Sequence, residues 1–150
     1  MHVIHPTAVI DPKSKISKNV EIGPYCIIGP DVEIGSNTKL QSHISIKGNT
    51  MIGSNNEIFP FVSLGTSPQD LKYMGEKNSI IIGNNNKLRE YVNINPGTSQ
   101  GGTITKLGNN NLLMVYCHVA HDCNLGDNIV LANNVQVGGH VTIENHAIVG

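Results

Sequence analysis

Seven residues near the C-terminal end of the sequence concentrate the side chains that could do chemistry. The stretch CHVAHDC, residues 117–123, holds two cysteines, two histidines and an aspartate. Residues of these types could bind a metal ion, provide a thiol nucleophile, or pair an imidazole base with a carboxylate. Which of these chemistries applies depends on the direction in which the fold points each side chain.

The composition favours a fold that stacks small residues regularly. The 150-residue chain has 16 glycines, no tryptophan and only 4% aromatic residues. It is long enough for one domain, and its formal net charge of -1 predicts no nucleic-acid partner. We see no signal peptide and no apolar run long enough to cross a bilayer, so we expect a cytoplasmic protein without membrane insertion. Three cysteines fit a reduced protein better than a disulfide scaffold.

Aliphatic residues recur every six positions along most of the chain. The series covers positions 10–64, returns at 82–94, and restarts one position out of phase over 107–149. A helix has a period near 3.6 and cannot use such a repeat. A hexapeptide repeat predicts a parallel β-helix, in which three six-residue rungs make one coil of 18 residues. We therefore expect residues 1–150 to form a single all-β domain.

Two other positions of the repeat also carry recurring residue types. The position four residues after each aliphatic is mostly small, as the inside of a narrow prism requires, and it holds Cys26, Cys117 and Cys123. We expect these thiols to be buried and inert. Three residues after the aliphatics, asparagine recurs at the predicted corners, because it tolerates left-handed backbone angles. The corner asparagines are Asn19, Asn37, Asn49, Asn55, Asn85, Asn110, Asn128 and Asn134.

Two segments interrupt the repeat and are predicted to be loops ejected from the scaffold. They are residues 66–79 and residues 96–105. Loops on a rigid scaffold often carry function. The second loop is rich in glycine but lacks the Gly-Lys-Ser/Thr ending of a phosphate-binding loop, so we expect it to be a flexible excursion.

His121 and Asp122 fall at a predicted corner, with His121 pointing outward and exposed. One 18-residue coil further on, Gly139 lies beside His121 and His140 lies above Asp122. An imidazole base, an orienting carboxylate and a glycine N–H are the parts that acyl transfer needs. The spacing leaves open a second interpretation, in which both histidines simply occupy tolerant corners. A zinc site shared with the cysteines is disfavoured, because the thiols point inward and the histidines do not.

Three motifs resemble one acyltransferase family. Residues 69–76 (QDLKYMGE), 111–123 (NLLMVYCHVAHDC) and 131–141 (LANNVQVGGHV) are similar to the acyl-[acyl-carrier-protein]–UDP-N-acetylglucosamine O-acyltransferases. These hexapeptide-repeat enzymes catalyse the first step of lipid A biosynthesis. The resemblance runs along the whole chain, and the first motif separates it from a related N-acyltransferase family. It also implies a left-handed β-helix with two ejected loops, against the usual preference for right-handed crossovers.

The resemblance implies a role for each candidate site residue. His121 would be the general base for the 3-hydroxyl of the sugar, Asp122 would orient it, and the Gly139 N–H would line the oxyanion hole. His118 and His140 would border the substrate cleft. The residues that would reach the sugar nucleotide or the acyl group are Gln69, Asp70, Leu71 and Lys72.

The resemblance also implies the partners. A 3-hydroxyacyl chain would move from acyl carrier protein to UDP-N-acetylglucosamine, without a cofactor, a metal or a covalent acyl-enzyme. The family is a homotrimer with sites between neighbouring prisms. Its C-terminal helical domain is absent from these 150 residues, so we expect them to be the N-terminal part.

Two rival functions stay open at this point. One is a zinc-dependent hexapeptide-repeat enzyme resembling a carbonic anhydrase, and the other is a non-catalytic, truncated β-helix. The motif at residues 69–72 favours the acyltransferase, because neither rival has a use for it.

Overall fold

Each coil of the computed structural model, which describes residues 2–150, contributes three short strands. In chain order they are β1 (Val3–Ile4), β2 (Val9–Ile10), β3 (Lys15–Ile16), β4 (Glu21–Ile22), β5 (Ile27–Ile28), β6 (Glu33–Ile34), β7 (Lys39–Leu40), β8 (Ser45–Ile46), β9 (Asn49–Ile52), β10 (Glu57–Ile58), β11 (Ser63–Leu64), β12 (Ser79–Ile82), β13 (Lys87–Leu88), β14 (Asn93–Ile94), β15 (Ile104–Leu107), β16 (Leu112–Leu113), β17 (His118–Val119), β18 (Asn124–Leu125), β19 (Val130–Leu131), β20 (Gln136–Val137), β21 (Thr142–Ile143) and β22 (Ile148–Val149). Within residues 2–150, no helix is long and apolar enough to cross a membrane.

The strands form three parallel sheets, one on each side of a triangular prism. Sheet A is β1-β4-β7-β10-β13-β16-β19-β22, sheet B is β2-β5-β8-β11-β14-β17-β20, and sheet C is β3-β6-β9-β12-β15-β18-β21. Equivalent residues of successive coils face each other, so that Ile4 pairs with Ile22 and Ile22 pairs with Leu40. This is the left-handed parallel β-helix that the hexapeptide pattern and the family resemblance predict.

The predicted aliphatic series lines the interior of the prism. From Ile22 to Val137, every member is at most 5% exposed. Cys26, Cys117 and Cys123 are at most 1% exposed, which confirms that the three thiols are buried. Burial raises the pKa of each thiol, so none of them is disposed to form the thiolate that a nucleophile needs.

The corners with predicted asparagines use left-handed backbone angles, with one exception. Asn49 lies in strand β9, and Gly48 makes that corner with a φ of 62°. The other predicted asparagines have φ between 57° and 63°. Another corner carries Tyr25, His43, Phe61, Tyr91 and Tyr116, all at positive φ. Their rings follow one another with centroids 4.7–5.1 Å apart, tilted by 34° between Tyr25 and His43 and stacked at the other three contacts. These ring contacts offset the cost of the strained backbone.

Both ejected loops leave the prism at the corner between sheets B and C. Residues 65–78 connect β11 to β12, and residues 95–103 connect β14 to β15. The predicted C-terminal boundaries were wrong: Ser79, Ile104 and Thr105 belong to strands, because these strands are four residues long rather than two. Residues that stack in successive coils are normally 18 positions apart in the sequence. This separation is 30 positions across the first loop and 25 positions across the second loop.

Candidate active site

Four successive corners stack along the edge where sheet B meets sheet C, which we name the B–C edge. They are the first loop (65–78), the second loop (95–103), residues 120–123 and residues 138–141. Because both loops leave the prism at this edge, they lie against the corner that carries His121 and Asp122. The register of the coils thus assembles one site from segments that are distant in sequence.

His121 and Asp122 form a hydrogen-bonded pair at the centre of this edge. Nδ1 of His121 lies 2.8 Å from Oδ2 of Asp122. An ionised carboxylate only accepts hydrogen bonds, so in the neutral imidazole Nδ1 carries the proton and Nε2 keeps its lone pair. The expectation that His121 is exposed was wrong, because only 14% of its side chain is accessible. Asp70 of the first loop covers it, with Oδ2 3.9 Å from Nε2 of His121.

The carboxylate of Asp122 is fully buried and accepts hydrogen bonds at both oxygens. The Thr98 N–H donates to Oδ1 at 2.7 Å, and the Thr98 hydroxyl donates to Oδ2 at 2.5 Å. The N–H of Asp122 donates to Oγ1 of Thr105 at 2.9 Å. Burial by itself raises the pKa of Asp122, but the bonds from Thr98 and His121 outweigh burial and leave the pKa below its usual value. Asp122 is therefore ionised near neutral pH.

The first half of the second loop, residues 95–98, is buried rather than a flexible excursion, whereas residues 99–102 are exposed. Thr98 is 2% exposed. A Cβ atom on Gly101 would lie 2.1 Å from Cγ of Asp122, and one on Gly97 would lie 2.7 Å from Oδ1. The glycines thus permit close approach of the loop backbone to the carboxylate, which is a different use from flexibility.

Polar contacts tie the two ejected loops to each other. Oε1 of Glu76 accepts a bond from the Ser99 N–H at 3.0 Å, and Oε2 accepts one from the Met74 N–H at 2.8 Å. The side-chain amide of Asn78 donates to the carbonyl of Gly97 at 2.9 Å. The Ser99 N–H, with smaller contributions from other backbone N–H groups, lowers the pKa of Glu76 to about 2. The carboxylate therefore stays charged and holds the first loop against the second.

Gly139 and His140 lie where the 18-residue step predicts. A Cβ atom on Gly139 would be 2.6 Å from Cε1 of His121, so the imidazole rests directly on this backbone. Among residues 2–150, no acceptor bonds to the Gly139 N–H. The His140 ring meets His121 edge-on, with centroids 5.0 Å apart and Nε2 3.8 Å from Oδ2 of Asp122. A free backbone donor and a second imidazole therefore adjoin His121.

The structure gathers some of the predicted substrate residues at His121 and leaves others apart. Asp70 and His140 lie at the site, as described above. Gln69, Leu71 and Lys72 are exposed on the first loop. His118 lies on the outward face of sheet B, where its Nδ1 is 2.8 Å from Oδ1 of Asn93. Burial lowers the pKa of His118, which favours the neutral imidazole.

Sequence reasoning missed three residues of this site. Thr98 and Thr105 hold Asp122, and Asn93 holds His118. Thr98 is 24 positions from Asp122, a spacing that no 18-residue register suggests, because the second loop lengthens that coil. Asn93 and His118 are paired across neighbouring strands, but they are 25 positions apart because the second loop lies between them. An 18-residue step therefore does not place them side by side.

The side chains at the centre of the site also have the composition of a metal-binding group. One ligand atom each from His121, Asp122 and His140 lies within 4.8 Å of the others. Imidazole and carboxylate together suit zinc. However, Oδ2 of Asp122 already accepts bonds from Thr98 and His121, so a metal ion there would have to replace the bond that orients His121.

Known proteins match this chain along its whole length. The bacterial transferase hexapeptide family (six repeats) matches residues 1–36 and 104–139. The acyl-[acyl-carrier-protein]–UDP-N-acetylglucosamine O-acyltransferase of Janthinobacterium sp. is 52% identical over 150 residues, which is 100% of this chain. Its counterpart in Thermodesulfovibrio yellowstonii is 49% identical over 147 residues, or 98% of this chain. This chain belongs to the hexapeptide-repeat acyltransferase family.

Solved structures of the family superpose closely on this member. LpxA from Acinetobacter baumannii has a TM-score of 0.97 at 56% identity and covers 99% of the chain. LpxA from Bacteroides fragilis, a UDP-N-acetylglucosamine acyltransferase, has a TM-score of 0.96 at 43% identity and covers 97%. The chain spans 57% of the length of each of these four relatives.

Proposed function

We propose that this member of the hexapeptide-repeat acyltransferases makes 3-O-acylated UDP-N-acetylglucosamine, the first product of lipid A biosynthesis. It moves a 3-hydroxyacyl chain from the thioester of acyl carrier protein to the 3-hydroxyl of the sugar nucleotide. Two relatives that are 49% and 52% identical are named acyl-[acyl-carrier-protein]–UDP-N-acetylglucosamine O-acyltransferases. The single observation that carries the proposal is the 2.8 Å contact between Nδ1 of His121 and Oδ2 of Asp122, because it leaves Nε2 free as a base.

The reaction begins with proton abstraction by His121. Nε2 takes the proton from the 3-hydroxyl while the oxygen attacks the thioester carbonyl. The ionised carboxylate of Asp122 stabilises the imidazolium that forms and keeps the ring in place. Asp70, 3.9 Å from Nε2, adds a second negative charge on the substrate side of the ring.

The attack creates a tetrahedral intermediate with a negative oxygen. The N–H of Gly139 lies beside His121 and donates to this oxygen without an obstructing side chain. When the intermediate collapses, the C–S bond breaks and the imidazolium gives its proton to the departing thiolate of the carrier. No acyl-enzyme is formed, in keeping with the burial of Cys117 and Cys123.

The remaining roles follow from position on the B–C edge. Gln69, Leu71 and Lys72, exposed on the first loop, contact the sugar nucleotide or the acyl chain. His118 and His140 border the cleft. The protein is a cytoplasmic homotrimer whose sites lie between neighbouring prisms, so that a neighbour completes the cleft around His118.

A second candidate function is zinc-dependent catalysis, which the grouping of His121, Asp122 and His140 favours. In this alternative both imidazoles and the carboxylate would hold the ion, and the Nδ1–Oδ2 hydrogen bond of His121 and Asp122 would be lost. Elemental analysis of the purified protein separates the two functions. One tightly held zinc ion per chain supports the metalloenzyme and contradicts the metal-free acyltransferase.

The direct test is a transfer assay with the full-length protein. 3-Hydroxyacyl-loaded carrier protein and UDP-N-acetylglucosamine are incubated with it, and the acylated nucleotide is measured by mass spectrometry. We expect product with this acceptor and none with its 3-deoxy analogue, which lacks the attacking oxygen. A folded protein that forms no product from the natural pair would contradict the proposed function.

A further inference from the structure

The catalytic carboxylate has three hydrogen-bond donors, and one residue supplies two of them. Thr98 gives its backbone N–H to Oδ1 and its hydroxyl to Oδ2 of Asp122, while His121 gives the third donor. The Asp122 side chain is fully buried, so water cannot replace a donor that is lost. The direction of the lone pair that faces His121 therefore depends on Thr98.

Thr98 is itself held from several sides. Its carbonyl accepts bonds from the N–H groups of Gly101 and Thr103, at 3.1 and 2.9 Å. The residue before it is tied to the first loop by Asn78, and the residue after it is tied by Glu76. Because the backbone on both sides of Thr98 is already fixed, its side chain can hold the carboxylate without losing further conformational freedom during the reaction.

We propose that Thr98 is a positioning residue for the acyl transfer, fixing Asp122 so that Asp122 fixes His121. The inference rests on the proposed function for its kinetic consequences. Its geometric basis is separate from the reaction, since the bonds from Thr98 to Asp122 exist without substrate. It also assigns the second loop a purpose: the loop brings a hydroxyl and an N–H to the corner from a neighbouring coil.

Two variants of Thr98 isolate the hydroxyl. Thr98→Val keeps the shape and the backbone N–H but removes the donor to Oδ2, whereas Thr98→Ser keeps both donors. We expect Thr98→Val to lower kcat roughly 10- to 100-fold, the same range as for removing a hydrogen-bond partner that orients a metal ligand. KM should change far less, because Thr98 is 2% exposed and so offers almost no surface to a substrate. Thr98→Ser should restore most of kcat.

The pH profile gives a readout that a packing defect would not change. Hydrogen bonds from Thr98 help to keep the pKa of Asp122 low against the opposing effect of burial. Without the hydroxyl the pKa of Asp122 rises, so Thr98→Val should lose activity at a higher pH than wild type as the solution is acidified. In proton NMR of the protein without substrate, the Nδ1–H of His121 should exchange faster with water in Thr98→Val than in wild type.

Controls keep the outcomes distinct. Gln100→Ala removes an exposed polar side chain further along the same loop and should behave as wild type. Thr98→Ala provides a second hydroxyl-free variant if valine does not fit, and thermal melts check that each variant is folded. Wild-type protein without transfer activity would overturn the proposed function and leave the NMR comparison to test Thr98. A folded Thr98→Val or Thr98→Ala with wild-type kcat, pH profile and Nδ1–H exchange would overturn the positioning role, as would a Thr98→Ser that is equally impaired.

Discussion

Two adjacent glycines on the B–C edge have very different surroundings. A Cβ atom on Gly139 would lie 2.6 Å from the imidazole of His121, whereas one on Gly138 would have no neighbour within 4 Å. Gly139→Ala should displace the His121 ring and lower turnover at least tenfold, since a displaced base loses its geometry. Gly138→Ala should leave turnover near wild type. Steady-state kinetics with both variants check this, and equal activities would show that the ring does not rest on Gly139 during catalysis.

At the scale of the structural element, a row of buried asparagines stabilises one corner of the prism. The Asn86 N–H donates to Oδ1 of Asn56, its side-chain amide donates to the carbonyl of Gly108, and its Oδ1 accepts from the Asn111 N–H. Asn86→Ala leaves buried polar groups unpaired and should lower the free energy of unfolding by about 2–4 kcal/mol. Asn85→Gly next to it should cost less than about 0.5 kcal/mol, because an exposed corner at positive φ suits glycine.

Urea denaturation of the two variants tests this claim about the asparagine row. If Asn86→Ala and Asn85→Gly lose comparable free energy of unfolding, the buried hydrogen bonds of Asn86 contribute no more to stability than the exposed residue Asn85, and the claim is wrong.

The contact between the two ejected loops should respond to pH in a defined window. The folded pKa of Glu76, about 2, is below its ordinary value of 4.5, so its stabilising effect is present above 4.5 and is lost as the pH falls through about 2. At pH 3 we expect the Ser99 N–H to remain protected from hydrogen exchange. Glu76→Gln should reduce that protection roughly two- to tenfold at neutral pH, the effect of weakening one such bond.

Glu144→Gln is a suitable control for the exchange experiment, since Glu144 is exposed on the last coil, remote from both loops. An unchanged Ser99 protection in Glu76→Gln would show that the carboxylate does not join the loops.

The sequence predicts the elements of this fold better than their connections. The period of six predicts the three sheets, the buried cysteines and the positions of Gly139 and His140. These features follow from the 18-residue length of one coil, which the repeat itself defines. The period does not place Thr98 at Asp122, since the length of a loop is not part of the repeat. It also misassigns Asn49, because the adjacent Gly48 makes that corner at lower cost.

At the scale of the whole molecule, the outward face of sheet B suits contact with a second copy of the chain. Val9 and Ile27 are 64% and 47% exposed on the face that also carries His118. We expect light scattering to give three times the mass of one chain at micromolar concentration. Ile27→Asp should dissociate the trimer, whereas Ile148→Asp, on the outward face of sheet A, should not. A wild-type monomer, or a trimer insensitive to Ile27→Asp, would contradict this interface.

The central claim is that His121 is the base of an acyl transfer, and one substitution tests it most directly. His121→Ala in the full-length enzyme removes Nε2 and leaves Gly139, Asp122 and the loops in place. In the assay with carrier thioester and UDP-N-acetylglucosamine, turnover should fall roughly 10²–10⁴-fold, the usual contribution of a positioned proton acceptor. Cys123→Ala, a buried neighbour, should keep most activity. A folded His121→Ala enzyme with near-normal turnover, or a folded Cys123→Ala enzyme without activity, would contradict the account.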